Sequence, residues 1–171
     1  TDVVYIYDAF YVKKPTPITV AGKLRARHPE KIDWLPISWP HDAMKASGGN
    51  EKGSVAQLHG NQGMQMLQDH ATFENGGNSV EAGIMDMQQR FEDGRLLVAS
   101  HLDDWFNEYR MYHRAKPKGG NEGAQAVIVK LRDDLMSATR YGIMMLRHAD
   151  TEPREDNDEY NEYNEVGSGG Y

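Results

Sequence analysis

Three aspartates in this chain are placed to do chemistry: Asp42, near the end of the run WLPISWPHDA (34–43), and the pair Asp133 and Asp134, which opens the run DDLMSATRYGIMML (133–146). A carboxylate directly after an apolar run costs free energy unless a cation meets it, so a basic partner or a metal ion is expected nearby. In a domain of alternating strands and helices, strand ends and helix N-termini meet at one edge of the sheet, where the three acids converge. Carboxylates so close repel one another, a divalent cation relieves the repulsion, and hard oxygen ligands favour Mg²⁺ or Mn²⁺. Two such ions, about 3.5–4 Å apart, activate water and stabilise the leaving oxygen in phosphodiester cleavage. The same residues have plainer uses. Paired aspartates at a helix start cap the helix and complement its dipole, and Asp42 serves equally well as a turn residue or ion-pair partner. Spacing alone leaves both readings open.

Phosphate contact needs positive charge beside the acids. Lys45 and Lys52 flank the glycine-rich segment after Asp42, where a pliable loop can follow a nucleic-acid backbone. Arg110, His113, Arg114, Lys116 and Lys118 make a second basic stretch, which reads either as a phosphate contact or as a solvated helix end facing the C-terminal dipole. His41 is a third ligand or simply a neighbour of Asp42. Glu74 and Asn75, in the turn-forming run FENGGNSVEAG (73–83), are further candidates to orient a ligand or DNA.

The elements that must hold these residues follow from periodicity. VVYIYDAFYV (3–12) reads as a strand, 17–28 as a short helix, and 34–39 as a second strand. A helix follows with Val55, Leu58 and Gln62 on one face, then a short strand at 64–67. Asn78 or Ser79 caps a helix carrying Val80, Ile84, Met87 and Phe91, which Gly94 stops before a strand at 96–100. Leu102, Trp105, Phe106, Tyr109 and Tyr112 form an aromatic stripe on the next helix, read as core packing rather than base stacking. QAVIVK (125–130) is a strand, and the run from Asp133 is the last helix. The alternation indicates a mixed α/β domain with helices covering a sheet.

At 171 residues the chain is sized for one domain, assigned to 1–149. Its formal net charge of -7 lies wholly in the segment 150–171, where eight acids meet the single base Arg154; the remainder carries 18 acids and 18 bases. Composition makes that segment a disordered acidic tail, either a solubilising extension or a docking element for a basic surface. Cysteine is absent, which excludes disulfides and thiolate metal sites. No run approaches the roughly 20 apolar residues of a membrane span, and no secretory leader precedes the first strand, so a soluble chain is expected. Beginning at Thr1 rather than Met, it reads as a fragment or a processed chain. No phosphate-binding G-x-x-x-x-G-K-[ST] loop occurs, so nucleotide hydrolysis is not expected of these residues.

WPHDA (39–43), ATFENGGNSVEAGIMDMQQRF (71–91), EYRMYHR (108–114) and DDLMSATRYGIMM (133–145) together resemble the C-terminal nuclease domain of the large terminase subunit of tailed bacteriophages, in the branch of short-tailed, headful-packaging phages. The resemblance runs in order over about residues 2–147. It implies an RNase H-like mixed sheet flanked by helices, lacking its first strand in this chain, and two Mg²⁺ or Mn²⁺ ions held by three acidic positions. Asp42 matches the second acid and Asp133-Asp134 the third, the register within the pair being open. Ser137-Ala138 stands where many relatives have a further Asp-Ala. Neither Asp2 nor Asp8 matches the first acid, which leaves two implied readings. One is an endonuclease cutting double-stranded DNA during genome packaging in the host bacterial cytoplasm, at the procapsid. The other is an incomplete, non-cutting module that binds DNA, portal or capsid partners. Portal protein, the small terminase subunit and an upstream ATPase domain are the partners implied.

Overall fold

A computed structural model describes residues 3–45, 53–115, 128–129 and 131–149. The order of elements is β1 (Val4–Ile6), α1 (Pro17–Arg27), a 3-10 helix (His41–Met44), α2 (Val55–Gly60), α3 (Val80–Glu92), β2 (Leu96–Val98), α4 (Asp103–Met111), α5 (Asp134–Met144) and a 3-10 turn (Leu146–His148). Local chemistry explains most boundaries. Thr16 caps α1 in a reciprocal box with Thr19, with Pro17 inside the first turn, where its missing N–H costs nothing. Ser54 and Gln57 form the same device on α2. Ser79, rather than Asn78, accepts from Ala82 N to start α3, and Gly94 leaves the helix with φ 68°.

Strand content is smaller than the β-rich sequence predicts. Among the described residues, β1 and β2 form one parallel pair, with Val4, Tyr5 and Ile6 opposite Leu96, Leu97 and Val98. The strand expected over 3–12 ends at Ile6, because its partner turns away once Ala99 N has bonded Ile6 O. The strand expected at 34–39 is a turn followed by a single bridge, Ile37 to Met66. Pro36 and Pro40 have no N–H to give a ladder, and Leu35 N–H is already spent on Lys31 O (2.8 Å). Residues 64–67 likewise contribute only that bridge. Of the strand expected at 125–130, Ile128 and Val129 are described, with Ile128 bridged to Arg114. The acidic segment assigned to 150–171 lies outside the described residues, and among those described no helix is long and apolar enough to cross a membrane.

The main core gathers Met87, Leu96, Leu102, Trp105, Leu135, Met136 and Ile143, with Val4, Ile6 and Phe91 packed against it. Leu102 and Trp105 of the α4 stripe belong to this core and Phe106 and Tyr112 pack against it, whereas Tyr109 is largely exposed. Trp105, 1% exposed, stacks with Tyr109 at 5.4 Å and meets Phe91 at 6.0 Å. Its Nε1 donates to Thr139 Oγ1 (2.9 Å), which donates in turn to Leu135 O (2.8 Å), so burial leaves the indole nitrogen paired and fastens α4 to α5. A smaller cluster under α1 contains Ala21, Ile32 and Met64, and a third contains Trp39, Ala43 and Ala56.

α3 and α5 approach closely at Gly83. A methyl group there would lie 2.5 Å from Arg140 Cδ and 2.6 Å from Cγ. Arg140 is only 5% exposed, and its guanidinium rests over the Tyr141 ring, so it has little room to yield. Gly83→Ala is therefore expected to destabilise the chain by about 1–3 kcal/mol through overpacking, read as a lower urea midpoint at unchanged slope. Ala82→Gly, one residue away, gives the comparison for helix propensity alone.

Candidate functional site

The mouth of α5 is where the sequence-derived acids meet structure. Asp133 occupies the N-cap position and Asp134 the first helical position. An aspartate at an N-cap ordinarily accepts from the backbone N–H two or three residues on. Asp133 does not: its φ of -115° and ψ of 19° depart from capping geometry, and its side chain makes no cap hydrogen bond. Among the described residues, its carboxylate takes only a long contact from Ser137 Oγ, at 3.4 Å. The preceding residue, Arg132, sits at φ 52°, in the left-handed region that L-residues rarely adopt, and so sharply turns the chain into the helix.

The cap comes from another helix. Glu108 Oε2 on α4 accepts from Leu135 N (2.7 Å) and Met136 N (3.0 Å), the donors Asp133 leaves unserved. Glu108 is 2% exposed, and its Oε1 has no hydrogen-bond partner among the described residues. Burial pushes its carboxyl above the usual range, the two backbone donors oppose that shift, and the nearby Asp134 and Asp133 charges add to it. Because the folded value is raised, the associated stability is present below the unfolded carboxylate value and is lost as pH climbs through the folded one. A cleft of about 290 Å³ opens beside this arrangement, lined by Tyr11, Asp104, Asn107, Glu108, Met111, Arg132 and Asp134. Sequence reasoning missed Glu108. The signal was there, since a residue three after Trp105 falls on the buried face of its helix.

Asp42 belongs to a different element. It lies exposed in the 3-10 helix beyond Trp39, with its carbonyl accepting from Lys45 N (3.1 Å). Trp39 O accepts from Ala71 N (2.8 Å), Thr72 N–H meets Met145 Sδ (3.4 Å), and Arg147 donates to Thr72 O (2.8 Å). The Asp42 segment is thus tied through residues 70–72 to the C-terminal end of α5. Asp133 and Asp134 open the other end, about 16 Å along an 11-residue helix. Among the described residues, no three Asp, Glu or His side chains gather closely enough to hold one ion. His41 packs edge-on against His70, at 4.7 Å between ring centres.

The basic candidates divide as well. Lys45 is exposed beside Asp42, and Lys52, Lys116 and Lys118 lie outside the described residues. Arg110 donates to Asn107 Oδ1 (2.8 Å). Arg114 grips Glu81 on α3 with two guanidinium nitrogens and holds that carboxyl below its usual range. Asn75 has a local duty, its Oδ1 accepting from Gly77 N (2.9 Å) to close the turn before α3. Asp8, unmatched to any catalytic position, is bound by Arg27 and by His28 Nε2 (2.6 Å).

A family profile described as "Terminase RNaseH-like domain" matches residues 1–146. The chain belongs to the terminase RNaseH-like domain family. It is 36% identical over 151 residues to the "Terminase, large subunit" of Salmonella phage P22, covering 86% of this chain and 27% of that protein. It is 35% identical over 147 residues to the "Terminase, large subunit" of Enterobacteria phage LP7, covering 84% and 28%. The terminase domain thus spans about a quarter of the length of these curated relatives. Among solved structures it is similar to "Structure of P22 Large terminase nuclease domain", with a TM-score of 0.71, 33% identity, and coverage of 86% of this chain and 69% of that one. The RNase H-like fold expected from the motifs is therefore the fold of this terminase domain, and Asp42, Asp133 and Asp134 all lie within the matched span.

The Asp8 cluster yields a pH prediction. Hydrogen bonding from Arg27 lowers the Asp8 carboxyl from 3.8 to about 2 against the cost of burial, with His28 assisting. A depressed folded value means stability that is present above the unfolded value and lost as pH falls through the folded one. Asp8→Asn should accordingly flatten the stability profile between about pH 4 and pH 2, measured by urea unfolding across that window.

Proposed function

We propose that this terminase domain is the DNA-cutting part of a phage packaging enzyme, hydrolysing phosphodiester bonds of double-stranded DNA with little sequence preference. The observation that carries the reading is the state of the Asp133-Asp134 pair, two aspartates at a helix mouth that another residue caps in their place. Their oxygen-only donor chemistry suits Mg²⁺ or Mn²⁺ rather than a softer metal. A pair of such ions supplies a lowered water pKa and charge neutralisation at the phosphoryl group. Asp133 and Asp134 would hold the cation at this mouth, and the α5 N-terminus behind them favours phosphate binding through its dipole.

Asp42 joins this proposal on the strength of the motif. An apolar groove of about 450 Å³ runs between residues 4–10 and the α5 face formed by Leu135, Ala138, Thr139 and Ile143, with Leu35 at its border. Lys45, Lys52, Arg110 and Arg114 are the proposed phosphate contacts; Arg114 has to be released from Glu81 to serve. Portal protein, the small terminase subunit and an ATPase domain of the parent chain are the proposed partners in the host cell.

The second reading, a module that binds DNA without cutting, is favoured by the lack of a three-acid group among the described residues. A plasmid-nicking assay with Mn²⁺, paired with calorimetric titration of the ion, separates the two. The cutting reading expects nicking that falls about 100-fold or more in both Asp134→Asn and Asp42→Asn, a barrier change of at least about 2.7 kcal/mol. DNA binding without nicking, or nicking unchanged in both variants, sinks it for these residues. Either way, bound DNA should dissociate steeply with salt, because backbone contacts dominate.

A further inference from the structure

Glu108 does something its helix alone does not require. It projects from α4, buried to 98% in a core otherwise built from Trp105, Leu135 and Met136, and spends one oxygen on the two amides that open α5. The second oxygen is left without a partner among the described residues, and the side chain lines the cleft that Asp134 also lines. A buried carboxylate that is only half satisfied is costly. What it achieves is a substitution of roles: the N-terminal amides of α5 are served from α4, and Asp133, standing where the cap belongs, is excused from that duty.

We propose that Glu108 is a positioning residue for the Asp133-Asp134 pair, a tertiary cap that occupies the Leu135 and Met136 amides so that the aspartates stay available to a divalent cation. This rests on the cation-binding reading of the pair. It adds a residue on a different helix, outside the three acids, that determines whether they are available. Without Glu108, the Met136 amide is open to the Asp133 carboxylate three residues back, and a carboxylate committed to its own helix is lost as a ligand.

The test uses the full 171-residue chain with two readouts: amide hydrogen exchange without metal, and calorimetric Mn²⁺ titration. In the wild type, the Leu135 and Met136 amides should be strongly protected. Asp133→Asn should leave their protection unchanged, because Asp133 is not the cap, while lowering Mn²⁺ affinity. Glu108→Gln keeps an acceptor oxygen in place and should retain both protection and Mn²⁺ affinity within about threefold, whereas Glu108→Ala should lose Leu135 protection and bind Mn²⁺ at least about tenfold more weakly while still folded. If Glu108→Ala does not fold, the comparison of Glu108→Gln with Asp133→Asn decides alone. Loss of Leu135 and Met136 protection in Asp133→Asn, or unchanged exchange and Mn²⁺ affinity in a folded Glu108→Ala, overturns the proposal. A wild type with the expected protection that takes up no Mn²⁺ refutes the cation reading of the pair but leaves the cap from α4 standing.

Discussion

Two hydrogen bonds from one carboxylate organise the business end of this domain. Glu108 reaches across from α4 to the amides of Leu135 and Met136, and in doing so fixes where α5 begins, how α4 and α5 pack, and what Asp133 and Asp134 are left to do. The neighbouring link, Trp105 Nε1 to Thr139 Oγ1 and on to Leu135 O, ties the same two helices one turn further along. Between them, the helix mouth is held by polar contacts set in an apolar core, where low dielectric makes each satisfied bond stronger and each unsatisfied atom more expensive. The Oε1 of Glu108, without a hydrogen-bond partner among the described residues, is that expense, located beside the aspartate pair.

The rest of the fold supports that mouth. β1 and β2 form a short parallel floor under α4 and α5, α3 is pressed against α5 at Gly83, and the segments around Trp39 and Thr72 brace the far end of α5. The Trp39 segment that leads to Asp42 is among these braces, and the aspartate pair opens the helix at its mouth. The apolar groove alongside β1 is faced by Leu135, Ala138 and Ile143 of α5.

Membership of the terminase RNaseH-like domain family and the likeness to the P22 nuclease domain bear on the fold as a whole, whereas the assignment of ligands depends on single side chains. Arg114 illustrates the difference. A basic stretch near a nuclease site reads as a phosphate contact, yet here the guanidinium is committed to Glu81, stitching the end of α4 to the start of α3. Asn75 is similar: the run around it belongs to the recognisable motif, and its side chain closes a turn.

Much of the architecture was legible in the residues themselves. Capping pairs at Thr16, Ser54 and Ser79, the glycine stop at Gly94, and the spacing of Ile84, Met87, Trp105 and Ile143 announce helices through interactions only a few residues long, so α1 to α5 were accessible without coordinates. Strands were less so. Their existence depends on a partner many residues away, and β-branched runs at 3–12 and 34–39 say nothing about where that partner ends or where a proline interrupts it. The availability of Asp133 was decided by tertiary structure alone. Its sequence context suits a cap as well as a ligand, and the arrival of Glu108 from another helix, at hydrogen-bonding distance from the same amides, relieves it of the capping task. Periodicity could put Glu108 on the buried face of α4, but which backbone donors that face would meet is set by how two helices pack, a relation no local pattern encodes.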